Sequence, residues 1–163
     1  MILPIAKLPA KILREPVKDL EFPLKKDTLR LIKNMLDTVI SANGVGLAAP
    51  QISRNLNIAL IYLEDAGIPP FPIINPKIIQ RSQETEESEE GCLSIPGVFG
   101  IVNRPKKITM EAYDINGDKF SITDDTFLAR VLQHEIDHLN NTLIYDKLEK
   151  ITTGADLFET FAE

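Results

Sequence analysis

Apolar residues change their spacing several times along the chain, and each change marks an element. Between residues 28 and 42, Ile32, Met35, Leu36, Val39 and Ile40 follow the i, i+3, i+4, i+7 pattern that lays one apolar stripe along a helix. Asp27 stands where a side chain can cap the first turn. Ser41-Ala42-Asn43-Gly44 ends the pattern with residues that tolerate the left-handed backbone of a helix terminus. Asn57 to Leu63 is aliphatic and β-branched between polar residues, which predicts a strand. Phe71 to Ile79 predicts a second, short and irregular strand, broken by Pro72 and Pro76 because proline cannot donate to a ladder.

Residues 80–90 are polar and strongly acidic, the composition of a solvated loop or edge strand. Ile108, Met110 and Ala112 then alternate with Lys107, Thr109 and Glu111, and Asn116-Gly117 leads into Lys119 to Thr123, predicting a hairpin with a primed turn. The helical period returns at Phe127, Leu128, Val131, Leu132, Ile136 and Leu139, after cap candidates in Thr123-Asp124-Asp125 and up to Asn140-Asn141. From about residue 150 the tail is weakly patterned, either a short helix or a frayed end. No repeat or Gly/Ser linker interrupts residues 1–163. The reading is one α+β domain: antiparallel strands packed around a C-terminal core helix, with an amphipathic helix nearer the N-terminus.

A chain of 163 residues can bury a core without cross-links, and 44% apolar with 26% charged residues is a globular composition. The net charge of -6 argues against nucleic acid or anionic lipid as partner. The opening Met1-Ile2-Leu3-Pro4-Ile5-Ala6-Lys7 lacks the features of a secretory leader, and no apolar run reaches bilayer length; the expectation is a cytoplasmic protein without membrane contact. One cysteine and two histidines are present, so a metal site drawing on both types has to use nearly all of them.

Both histidines fall in His134-Glu135-Ile136-Asp137-His138, on the last predicted helix. Four residues apart they share one face, one turn from each other, where both imidazoles can reach a single cation; Glu135 can reach a water on it, as the general base does in many zinc hydrolases. The same five-residue pattern also recurs on ordinary helices, as hydrogen-bonded or exposed histidines beside surface carboxylates. A catalytic site needs a third protein ligand, and Cys92 in Glu90-Gly91-Cys92-Leu93-Ser94 is the candidate, although a lone cysteine is often just a small buried hydrophobe. Gly44-Val45-Gly46-Leu47-Ala48-Ala49-Pro50-Gln51 adds a backbone against which an extended substrate could lie. Its spacing is not that of a phosphate loop.

Together, Gly44 to Gln51, Glu90 to Ser94 and Gln133 to Leu139 resemble, in order and spacing, the three motifs of the peptide deformylase family, and a looser likeness runs from Pro9 to about Lys150. The resemblance implies that Cys92, His134 and His138 hold one divalent metal, Fe(II) before Zn, Ni or Co, with water in the fourth position. Glu135 would take the proton as water attacks the formyl carbon and pass it to the departing amine. The Gln51 side chain and the Leu93 backbone N–H would face the developing oxyanion. An N-formylmethionyl peptide would pair as an added strand with Val45 and Gly46, its methionine side chain in an apolar pocket. Phe127 and Val131, on the helical face of His134, are candidates for that pocket's wall. Glu90 and Arg104 resemble a family ion pair that steadies the cysteine loop.

Two positions depart from the family pattern. Asn141 replaces a glycine that commonly ends the helix motif, and Phe99 stands where some members carry an arginine that contacts peptide. A transient contact with the ribosome is left open. Two rivals predict other things: a peptidase sharing only the helix motif gives Gln51 and Cys92 no role and commonly draws its third ligand from a downstream His or Glu, and no third histidine exists. A catalytically silent relative should have lost a ligand, the base or the glutamine, whereas this chain keeps all five.

Overall fold

The computed structural model describes residues 1–161. Helix α1 (Lys26–Ser41) buries Met35 and Val39 of its predicted stripe, but the buried face is rotated from the expected one: Leu31 and Thr38 are buried with them, Ile32 and Leu36 are half-buried, and Ile40 is exposed. Asp27 does not cap it: Lys25 holds the cap position without a side-chain bond, and Asp27 lies inside the first turn, where a carboxylate suits the helix dipole. The exit matches expectation, with Asn43 left-handed at φ 55°.

Two antiparallel sheets follow. The larger has the order β1-β2-β3-β6-β7, from β1 (Gly46–Ala48), β2 (Ile58–Leu63), β3 (Ile68–Arg81), β6 (Ile108–Tyr113) and β7 (Lys119–Asp124). The smaller has the order β4-β5-β8, from β4 (Thr85–Cys92), β5 (Ile95–Pro105) and β8 (Leu148–Thr153). Helix α2 (Phe127–Leu139) and the short α3 (Ala155–Thr160) complete the chain. Strand β2 is buried on both faces because each meets a different helix. Ala59, Ile61 and Leu63 pack with Ala129, Leu132 and Ile136 of α2, while Leu60 between them packs with Leu31 and Met35 of α1. The core helix and the sheet around it are thus the expected α+β arrangement.

Four local expectations change. Strand β3 runs unbroken for 14 residues. Pro72 lies where β3 is paired only with β2, and Pro76 falls in the register shift between Ile74 and Lys77, so neither ring interrupts a two-sided ladder. The β6–β7 hairpin closes over five residues rather than a primed pair: Gly117 alone in that turn is left-handed (φ 84°), and the Asp114 carboxylate accepts the N–H groups of Asn116 and Asp118. At α2 the cap is Thr126, whose hydroxyl accepts the Leu128 N–H; Asp124 assists from two residues earlier by accepting from Thr126 and Ala129. The tail forms a strand as well as a helix, β8 pairing with β5. Residues 80–90 do include an edge strand, β4.

Candidate active site

Strands β4 and β5 turn over at Leu93 and Ser94, with Cys92 paired to Ile95 and a register shift separating it from Gly91. Such irregularities re-aim side chains at the ends of ladders. Here the shift leaves Cys92 facing α2. Its Sγ lies 3.3 Å from His138 Nε2, and the ligand atoms of Cys92, His134 and His138 all fall within 4.8 Å of one another. His134 Nδ1 is engaged by Glu90 Oε1 at 3.0 Å, which leaves Nε2 as its available nitrogen. A thiol and two imidazoles, one oriented by a carboxylate behind it, form a donor set that fits a divalent metal of borderline softness. His138 Nδ1 is buried without a hydrogen-bond partner.

Burial would depress both imidazoles. At His134 the bonds to Cys92 and Glu90 and the Glu135 charge outweigh burial and raise the pKa; at His138 the neighbouring His134 charge adds to burial and lowers it. Glu135 is also enclosed, with Oε1 unpartnered, and burial pushes its carboxyl up to about 7 against the pull of His134. That places its proton affinity in the range useful to a general base. Gly46 makes this position possible: a Cβ there would come within 2.6 Å of Glu135 Oε2.

Gln51 sits in a one-turn 3-10 helix, Ala49–Ile52, directly after β1. Its Oε1 accepts the Ala48 N–H at 2.9 Å, which turns Nε2 toward Ser94 Oγ at 3.2 Å and Cys92 Sγ at 3.7 Å. A buried amide whose acceptor end is fixed by backbone is a preorganised donor.

Glu90 carries more than the one ion pair expected from the sequence. Arg104 grips it with Nε on Oε2 at 2.6 Å and Nη2 on Oε1 at 2.9 Å, and Arg130 Nη1 adds a third bond at 2.6 Å. Burial alone would raise this carboxyl, yet the bonds from Arg104 and His134 hold it well below the usual carboxylate range. Arg104 also reaches Asp137 at 2.8 Å, so Asp137 is no free surface charge. Sequence patterning singles out neither Arg130 nor Asp137. The one signal for Arg130 is a charge inside the apolar run Leu128-Ala129-Arg130-Val131-Leu132.

These groups open onto a cavity of about 460 Å³ lined by Val45, Gly46, Gln51, Cys92, Leu93, Phe127, Val131, His134 and Glu135, among others. Val131 is buried in its wall and Phe127 stands at its exposed rim. Strand β1 has a ladder partner only in β2 and is therefore an edge strand of the larger sheet. Phe99 lines the same cavity, its ring against Gly91 in the space that a side chain there would need. Asn141 takes the left-handed conformation (φ 61°) that the family glycine would, and its amide donates to the Glu15 carbonyl.

A sequence profile described as polypeptide deformylase matches residues 2–153. The peptide deformylase of Desulfitobacterium hafniense is 43% identical over 152 residues, spanning 91% of this chain and 96% of that protein. The one from Acinetobacter baumannii is 37% identical over 150 residues, 92% and 85% of the two chains. Among solved structures, a peptide deformylase from Legionella pneumophila superposes with a TM-score of 0.87 at 38% identity, covering 99% of this chain and 91% of that one. A peptide deformylase from Synechococcus elongatus, in complex with actinonin, gives 0.86 at 38% identity over 97% and 82%. No helix among the described residues is long and apolar enough to cross a membrane.

Proposed function

Because the chain belongs to the polypeptide deformylase family, we propose an account, residue by residue, of how it removes the N-formyl group from the starting methionine of newly made polypeptides. The observation that carries the account is the convergence of Cys92, His134 and His138 beside the buried carboxylate of Glu135.

Cys92, His134 and His138 would hold the divalent metal on which this family depends. Bound there, the metal supplies a Lewis acid for the formyl carbonyl and lowers the pKa of water. We assign it as Fe(II), with Zn, Ni and Co acceptable to the same ligands. Glu135 accepts a proton as water oxygen bonds to the formyl carbon, then gives that proton to the amine nitrogen as the C–N bond breaks. Formate and a free N-terminus result. The Gln51 Nε2–H and the Leu93 backbone N–H donate to the carbonyl oxygen as it gains negative charge. The peptide lies extended along the edge of β1 at Val45 and Gly46, its methionine side chain against Val131 and Phe127.

This substrate exists where bacterial-type chains leave the ribosome, so we place the work in the cytoplasm, with ribosome contact at most transient. The test is formate release from formyl-Met-Ala-Ser by protein purified anaerobically, with bound metal determined on the same sample. Rapid release that scales with Fe(II) content is expected. Absence of release from a folded, metal-loaded sample overturns the account.

A further inference from the structure

Arg130 stands on α2 one turn before His134, and its guanidinium has three acceptors. Nη1 donates to Glu90 Oε2 at 2.6 Å and to the Val102 carbonyl at 3.1 Å, and Nη2 donates to the Glu86 carbonyl at 2.7 Å. One helix residue therefore fastens β4 at two places and β5 at one, with its side chain only 9% exposed. The fastened carboxylate is the one that receives His134 at 3.0 Å, and Cys92 follows it by two residues on β4.

Arg104 alone would satisfy the charge of Glu90, with which it already makes two bonds. A second buried arginine is costly unless its own charge is answered; Arg130 shares Glu90 with Arg104, and Arg104 turns its remaining N–H to Asp137, which Lys147 also meets at 3.0 Å. Arg104 approaches from β5, however, and touches Glu90 and Asp137 through side chains. Arg130 is the arm that runs from the helix of the histidines to the backbone of the cysteine's strand. A planar fork suits three acceptors on two strands; a lysine ammonium on a flexible stem does not reproduce it.

We propose that Arg130 is a positioning residue for the metal centre: it sets the separation of the Cys92 strand from the helix of His134 and His138, and thereby how tightly and in what geometry the metal is held. The proposal rests on those three residues being the ligands.

The test uses Co(II) added to chelator-treated, full-length protein, followed by the thiolate-to-Co(II) charge-transfer absorption and by competition with a chelator. Arg130→Met keeps the stem and removes every N–H; Co(II) binding at least tenfold weaker is expected, with a shifted thiolate band at saturation, which a merely stabilising residue would leave unmoved. Arg130→Lys restores charge without the fork and should recover little of the loss. Parental affinity and band in folded Arg130→Met overturn the proposal, as does full recovery by lysine. If Arg130→Met fails to fold, Arg130→Lys decides alone: parental affinity and band overturn the proposal, and weaker binding with a shifted band supports it. Cys92→Ala must abolish the band; a band surviving there overturns the ligand set, and this proposal with it, whereas a band lost there but unchanged in Arg130→Met overturns this proposal alone.

Discussion

Gly46 and Glu135 are so close that a methyl group on the first would come within 2.6 Å of a carboxylate oxygen of the second. Strand β1 thus approaches the catalytic helix as far as a residue without a side chain allows. Gly46→Ala should displace the Glu135 carboxylate and lower kcat by roughly tenfold or more, since small misplacements at a reacting centre are expensive. Steady-state kinetics on formyl-Met-Ala-Ser check this; a kcat within twofold of the parent would mean that Glu135 has room to move without loss.

Glu135→Gln removes the proton acceptor while keeping the shape. Turnover should fall by about 10²- to 10⁴-fold with metal content retained. Stability should respond in the opposite sense. The Glu135 carboxyl titrates at about 7 in the folded protein, against 4.5 for a glutamate free of such surroundings. The folded protein therefore binds more protons than the unfolded chain between those values, and this group destabilises progressively as pH rises from 4.5 through 7, by about 3 kcal/mol in all. In chelator-treated protein, Glu135→Gln should lessen that decline. Urea unfolding at pH 5 and pH 8 measures the difference, and equal slopes in parent and variant would contradict it.

Gln51→Glu separates the two ends of the amide, because the carboxylate can still accept the Ala48 N–H but cannot donate toward Cys92. Loss of one oxyanion donor costs roughly 10² to 10³ in kcat. We expect that loss in kcat together with a lower thermal midpoint, since a carboxylate replaces an amide that is only 2% exposed. A large fall in midpoint with kcat intact would assign Gln51 to folding instead.

Glu90→Gln leaves Arg130 buried without an anion and Arg104 with Asp137 alone, and breaking a buried ion pair from one side costs about 3–5 kcal/mol. The parent already contains the acid limit of this effect. The Glu90 carboxyl lies well below the ordinary 4.5 of a glutamate, so its stabilisation is present above that pH and lost as pH falls below it. Thermal melts of parent and variant should differ most near neutral pH and converge in acid; a constant difference across pH would remove Glu90 from the acid response.

The helices are legible because their stripes are long. Met35 and Val39, and later Val131, Leu132 and Ile136, repeat over successive turns, and the chemistry stands out through the scarcity of Cys and His. Strand β5 is hidden because two of its buried positions are Gly100 and Arg104, so its alternation does not read as apolar. Strand β1 has three residues, too few for any period. Strand β8 keeps Leu148 and Ile151 three apart across a register shift, a spacing that reads as helical rather than as the alternation of a strand. Arg130 and Asp137 are legible only as charges, since whether a charge on a helix meets solvent or a buried carboxylate depends on the strand brought against it.

Cys92 packs against the hydrophobic cluster of the smaller sheet, whereas α2 belongs to the cluster of the larger one, and Cys92 and His138 are 46 residues apart. An ion shared by those residues is a reversible cross-link between two cores, closing a loop that the unfolded chain leaves open. The protein should then carry a reading of its surroundings in its own persistence: above the dissociation constant, each tenfold rise in free metal adds about 1.4 kcal/mol to the folded state. Cells short of the metal would hold not only idle enzyme but enzyme that opens, and is cleared, sooner.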